Sequence, residues 1–388
     1  MEIMNYLEFY SQIKNTPFYK ESTVDFNGEY KFFYDETNNA RVLRIKDSGS
    51  LNKDKDEDFI LGGIVLKKDS NVTSEEFEFL KSLLKVNKQE IKLKSLGVQS
   101  KGFIECIKSR KVRTLLKWIN EKPIFIHYKI WDDIYYMIAD IIDAGVYSFE
   151  HLNDSVLEQC MVDFSRKLKT LLNLYVYQDL EKFLQILKSY KYPLVEEQYI
   201  EEFYKGIIDF IESAEPIEIP DFLGITRKEL ISYLKSVAEE DFVPFINNKT
   251  EDLVFEYADL YLQNALMLRE SFHIFDEENV VQEKINNLNL PDEILSNFKF
   301  ENSEFLWELQ ISDCMVGIIN KFIKYIKPLK VENISNIEAS LKDEYEKEGV
   351  SLFKMILKKS YEECEAFKFN SSNLELENKL CDFFGYLD

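Results

Sequence analysis

The order in which strand-like and helix-like runs alternate constrains this chain more than any single motif does. Three stretches dense in aromatic and β-branched residues, EYKFFYDE (29–36), RVLRIK (41–46) and DFILGGIVL (58–66), follow a short helical lead at 2–13. Their links are short or polar, NNA and then SGSLNKDKDE, which predicts an antiparallel meander. TSEEFEFLKSLLKV (73–86) predicts a helix: Thr73 or Ser74 caps it, Glu75 and Glu76 fill its first turn, and Phe77, Leu80, Leu83 and Leu84 repeat at helical spacing. A second helix is expected over about 100–120, and KPIFIHYKIW (122–131) reads as a fourth strand.

From 132 to about 270 the pattern is helical almost throughout, with Pro-containing breaks such as EPIEIPDFLG (215–224). Strand signals return at ESFHIFDEE (270–278) and KFEN (299–302), FLWELQISDCMVGIINKFIKYI (305–326) is a strongly apolar helix, and the remainder to 388 reads as helical and acidic. A sheet whose strands come from both sides of a long helical stretch implies one α/β core. The expected division is a core in two parts, 28–131 and 270–328, with a helical insertion at 132–269 and a helical C-terminal extension at 329–388.

Composition narrows the function classes. The five cysteines form no C-x-x-C pair and the three histidines lie far apart in sequence, so neither a disulfide framework nor a typical zinc site is suggested. Reduced thiols and a cytoplasmic location are the expectation. The N-terminus lacks a basic region followed by a long apolar run, and no segment offers some 18 uninterrupted apolar residues, so neither a signal peptide nor a membrane partner is expected. A net charge of −22 argues against a protein that coats duplex nucleic acid, and any such contact must be local. One segment suits it: residues 88–122 carry ten basic and three acidic side chains. Within it Arg110, Arg113 and Lys117 fall on one side of the expected helix, although a solvated helix face is an equal reading of the run.

Four acids stand where core strands end or core helices begin: Asp35, Glu90, Asp276 and Asp313. Asp35 and Asp276 have a turn-forming role open to them, and Glu90 that of one more surface charge. Asp313 is harder to explain so, because Leu309, Ile311, Met315, Val316, Ile318 and Ile319 surround it and a buried carboxylate without a partner is costly. Capping is excluded by the six helical residues expected ahead of it. Other chemistries lack their motifs: there is no G-x-S-x-G, and LGGIV (61–65) lacks the ending of a phosphate loop and lies inside a strand, where close backbone packing accounts for paired glycines.

The strand end YDET, the EIKLKS at 90–95, the second strand end IFDEE and the helix FENSEFLWELQISDCMVG together resemble the ribonuclease-H-like family known as domain of unknown function thirty-eight hundred. The likeness covers about 170 residues, 28–131 and 270–326. Where the family pattern has Asp-Glu-Ser-Gly this chain has Asp35-Glu36-Thr37-Asn38, and where it has Ala-Asp this chain has Ser312-Asp313. The resemblance implies a ribonuclease-H-like mixed-sheet α/β core and a nuclease using Mg²⁺ or Mn²⁺, with Asp35, Glu36, Glu90, Asp276 and Asp313 as metal ligands. It also implies roles for Gln310 and for Lys92, the latter as a catalytic group and phosphate contact. Hard oxygen ligands suit these ions, and a pair of them can activate water and stabilise a leaving oxygen. Nucleic acid is then the expected substrate, lying along Lys92, Arg110, Arg113 and Lys117, and the helical insertion is left to gate access or bind a protein partner. The resemblance extends the expectation to bacterial defence against phage. The rival expectation is a catalytically silent interaction or sensor protein that keeps a nuclease-like core.

Overall fold

The computed structural model describes residues 27–70, 72–86, 88–146, 155–240, 255–288, 290 and 292–385, so the helical lead expected at 2–13 lies outside the described residues. Six strands form one mixed sheet: β1 (Tyr30–Thr37), β3 (Phe59–Lys67), β4 (Ile124–Trp131), β6 (Phe272–Asp276), β7 (Phe298–Glu301) and β8 (Lys368–Ser371), in the order β7-β6-β1-β3-β4-β8. β1 pairs antiparallel with β3 and β3 with β4, while β6, β7 and β8 join in parallel with β1, β6 and β4. The expected α/β class with a mixed sheet is therefore observed.

The middle stretch of the expected meander departs from the sheet. RVLRIK contributes only β2 (Val42–Leu43), which pairs with the short β5 (Phe255–Glu256). Asn38 and Arg41 both take left-handed backbone, with φ of 59° and 63°, and turn the chain away from β1. Asn38 fixes that turn through its Nδ2, which donates to Asp58 O at 2.8 Å. Asparagine tolerates this conformation better than most residues.

Alternate residues of the strands feed two cores, as the period of two requires. Phe33, Ile60, Ile64, Ile126 and Ile274 belong to one, together with helices α1 (Ser74–Leu84), α2 (Phe103–Ile107) and α3 (Arg110–Glu121). The helix expected over 100–120 is thus two, broken at Lys108 and Ser109. Phe32, Tyr34, Leu61, Val65 and Phe125 belong to the other core. They pack with residues of α4 (Asp133–Val146), α5 (Ser155–Val176), α6 (Leu180–Ser189), α7 (Ile200–Ser213), α8 (Arg227–Ala238) and α9 (Ala258–Met267). The stretch expected as an insertion thus shares one continuous core with a face of the sheet. A fully buried aliphatic or aromatic side chain contributes roughly 1.5–3 kcal/mol, so this face depends on its helical cover.

The later elements complete the acid-bearing side. Short helices α10 (Asn279–Asn286) and α11 (Asp292–Leu295) lie between β6 and β7 in the chain and give Val281, Ile285 and Ile294 to the other core, while α12 (Trp307–Ile326) crosses the sheet. α13 (Ile337–Ser340), α14 (Glu344–Glu363) and α15 (Leu374–Phe384) follow, and all three contribute residues to the α12 core. β8 lies between α14 and α15, so the segment expected as a helical extension contains a strand of the main sheet. Its sequence, KFNS, is half-buried and carries no strand period; its partner β4 selects it.

Gly63 sets how closely α12 can approach. A Cβ there would lie 2.2 Å from Phe33 O and 2.4 Å from Ser312 Oγ, and its φ is +151°. The Ser312 hydroxyl accepts the Ile64 amide at 3.1 Å and lies 3.0 Å from Phe33 O and 2.8 Å from Glu308 O, to one of which it donates. Ser312 thus ties α12 to β1 and β3.

Candidate acidic site

β1 and β6 run parallel with Tyr34 opposite Phe275, so the next residues, Asp35 and Asp276, stand side by side on one face at the strands' C-terminal ends. α12 brings Asp313 over that face. The connection leaving α1 supplies Glu90 and Lys92, and two polar residues in one turn of α12 hold it and the loop after β7 in place. Gln310 accepts the Ile91 amide at 2.8 Å and donates to Ser303 O at 2.8 Å. Asp313 Oδ2 accepts the Leu93 amide at 2.6 Å. Gly317, one turn further on, packs against Leu93, whose Cδ2 would lie 2.6 Å from a Cβ at that position.

Ser303 joins two of the acids: its amide donates to Asp276 Oδ1 at 3.1 Å and its hydroxyl to Glu90 Oε1 at 2.7 Å. Lys92 Nζ lies 2.9 Å from the same Glu90 oxygen. The sequence reading passed over Ser303; its only signal is a small polar residue just past a strand end, in ENSEF.

Crowding of like charge shows in the titration of these groups. Burial, then Glu36, Asp313 and Asp276, hold the Asp35 carboxyl well above the usual carboxylate range. Asp276 and Asp313 are also raised, burial outweighing the hydrogen bonds to Asp276 and both the Leu93 amide and Lys92 at Asp313. Burial acts against charge on Glu90 too, but Ser303 and Lys92 prevail and its carboxyl lies below the ordinary value. Lys92 is raised despite burial, through Glu90 first and then Asp276 and Asp313.

Of the expected metal ligands, Asp35, Glu90, Asp276 and Asp313 gather at this locus and Glu36 does not. It alternates to the other face of β1, beside Asn39 and Tyr261, where burial pushes its carboxyl up to about 7. Among the described residues no three His, Cys, Asp or Glu side chains are close enough to hold an ion as they stand. The donor chemistry nevertheless fits a hard cation. In Asp35, Asp313 and Glu90 one oxygen is fixed by a hydrogen bond, while Asp35 Oδ2, Asp313 Oδ1 and Glu90 Oε2 have no hydrogen-bond partner among the described residues.

The basic helix does not join the acids. Arg113 forms an ion pair with Glu348, donates to Lys108 O at 3.2 Å and lies over the Tyr345 ring at 4.3 Å, with 14% of its side chain exposed. Lys108 pairs with Glu105 and Glu346, Lys122 with Glu76, and Lys117 with Glu121 at 4.0 Å. Much of the segment's positive charge is thus neutralised within the chain, two of the acids coming from α14. Arg110 is exposed.

No helix of the described residues is long and apolar enough to cross a membrane. Comparison with protein-family models, with curated proteins and with solved structures finds no match to this chain.

Proposed function

We propose that this chain is a divalent-metal-dependent phosphodiesterase acting on RNA or DNA, built on a ribonuclease-H-like core. The observation that carries the reading is the gathering of Asp35, Asp276, Asp313 and Glu90 from two parallel strand ends, a core helix and a connection, with free carboxylate oxygens on three of them. Strand order supports it as well: a central β1 has an antiparallel pair on one side and parallel strands on the other. Ligands of open α/β sheets favour the carboxyl ends of strands, where Asp35 and Asp276 stand.

Asp35, Asp276, Asp313 and Glu90 are the residues that would hold Mg²⁺ or Mn²⁺. Such an ion supplies charge neutralisation at the phosphate and a lowered pKa for attacking water. Ser303 orients Asp276 and Glu90 through the two hydrogen bonds already described. Lys92, kept cationic by Glu90, is placed to contact a non-bridging phosphate oxygen.

A silent, nuclease-like core is the second reading, and Lys92 favours it: its ammonium already neutralises part of the acidic cluster. Metal binding separates the two. Labelled RNA, DNA and hybrid substrates are to be incubated with Mg²⁺, Mn²⁺ or chelator, and Mn²⁺ binding measured by calorimetry. Cleavage that needs the ion, and falls at least on the order of 100-fold in Asp35→Asn and in Asp313→Asn, is the expected result, since loss even of an outer-shell partner costs about 10–100-fold. Both variants should melt at or above the wild-type temperature in chelator, because each removes like-charge repulsion. Absence of Mn²⁺ binding together with absence of cleavage would sink the proposal.

A further inference from the structure

Cations in the 81–122 region divide into two sets. Lys108, Arg113, Lys117 and Lys122 are paired with intramolecular acids, whereas Lys85, Lys88 and Lys94 are exposed and have no acidic partner among the described residues. These three flank Glu90 and Lys92 on a single connection. Lys85 and Lys88 line a surface groove of about 750 Å³, with Glu78, Lys81, Ser82, Val86 and Gln89 as its other walls. Lys81 fixes one wall to the other, its Nζ donating to Gln89 O at 2.9 Å. Gln89 is followed directly by Glu90 in the chain, so one wall of the groove leads into the acidic site.

A second feature near Glu90 is Phe305. Ser303, bonded to Glu90, begins the turn that carries it, and the Phe305 amide donates to Asn302 O at 3.1 Å. Its side chain is 79% exposed, the highest value among the large hydrophobic residues described. Singly exposed apolar residues are ordinary; an exposed aromatic ring two residues from a side chain of the acidic site, together with unpaired lysines on the connection that carries Glu90, is the combination that single-stranded nucleic acid recognition uses.

We propose that Lys85, Lys88 and Lys94 form the phosphate track of a single strand, and that Phe305 stacks on one of its bases beside the acids. The inference rests on the nuclease reading for its substrate class and assigns the path that the basic helix does not provide. A base paired in a duplex keeps its face covered, so the track selects unpaired strand.

The test is fluorescence anisotropy with labelled single-stranded and duplex oligonucleotides in chelator, over a range of salt, on the full chain. Each phosphate contact to a single strand adds about −0.7 to the log–log salt slope, so the triple variant Lys85→Ser, Lys88→Ser, Lys94→Ser should flatten it by about two. Phe305→Ser should weaken single-strand binding by about tenfold and leave the slope unchanged, since stacking releases no counterions. Wild-type slope in the triple variant, or wild-type single-strand affinity in Phe305→Ser, overturns the track. Mn²⁺-dependent cleavage by the same proteins separates the two claims. Cleavage with unaltered variant binding removes the track and leaves the nuclease; altered variant binding without any wild-type cleavage keeps the track and removes the nuclease.

Discussion

On one side of β1, Lys31, Phe33 and Asp35 look toward α12; on the other, Phe32, Tyr34 and Glu36 look toward α4–α9. Both sides receive ionisable groups, and their fates differ. The α4–α9 side buries His127, His273 and Lys129 almost completely. Phe32 stacks on His273 at 4.9 Å, Tyr34 OH lies 2.8 Å from His273 Nδ1, and Lys129 donates to Gln263 at 2.7 Å. Burial lowers His127 to about 3 and His273 to about 4, so both are neutral near pH 7, and it lowers Lys129 well below its ordinary value. The α12 side instead ends in half-buried carboxylates that keep contact with solvent. Charge also survives burial where it is paired, as between Lys53 and Asp133 at the start of α4, but the carboxylates that keep open oxygens lie on the α12 side.

If the two sides are one cooperative structure, breaking the sealed side should unfold both. Phe203→Ala empties a fully buried position of α7 and should cost about 3–5 kcal/mol. Urea unfolding followed by tryptophan fluorescence and by circular dichroism should then show one transition, shifted as a whole. Two transitions, only one of them moved, would restore a separate helical domain at 132–269.

A smaller disturbance acts across the sheet. Gly63→Ala forces its Cβ against Phe33 O and Ser312 Oγ, so α12 must lift from β1 and β3, at a cost of about 1–3 kcal/mol. Since Asp313 rides on α12, metal-dependent cleavage should fall with stability. Cleavage at the wild-type rate in a destabilised Gly63→Ala protein would show that Asp313 need not hold its place over Asp35.

These two tests mark what the chain announces and what it conceals. Residues acting through local pattern were legible: the Thr73–Glu76 capping box, the apolar helix around Asp313 and the alternation that places Asp35 at a strand end. Asp35, Asp276, Glu90 and Asp313 could be singled out because each interrupts an apolar run or ends one. What was missed depends on partners distant in sequence. KFNS becomes a strand only beside β4, Arg113 loses its availability only because Glu348 and Tyr345 sit on α14, and the helices 133–267 read as separate until Tyr34 and Phe125 are seen to need their cover. Glu36 joins the expected ligands only through the resemblance, and a strand sends neighbours such as Asp35 and Glu36 to opposite faces.

Glu36 therefore offers a test on the boundary between the two sides. Its folded pKa, about 7, lies above the unfolded value of about 4.5, so the folded state binds the proton more tightly. The stability this gives is fully present below pH 4.5 and is lost as pH rises through 7. In Glu36→Gln the side chain is neutral throughout, and the variant should gain on wild type across that window, reaching roughly 3 kcal/mol by pH 8. Chemical denaturation in chelator at pH 5, 6.5 and 8 measures it. A constant difference between the two proteins would mean that Glu36 titrates normally and is not enclosed.

The smallest expected effect belongs to the basic helix. Arg110 and Lys117 are exposed, and the cation between them on that side, Arg113, is held by Glu348 and Tyr345. A backbone track needs successive free cations, since each phosphate neutralised adds its own share to the salt slope. With the middle one occupied, Arg110→Ser with Lys117→Ser should change the slope of single-strand binding by less than about 0.5. Stability should stay within about 0.5 kcal/mol, because neither side chain makes a buried contact. The same anisotropy titrations serve. A flattening of one unit or more would return the substrate path to α3 and require Arg113 to leave Glu348 when nucleic acid binds.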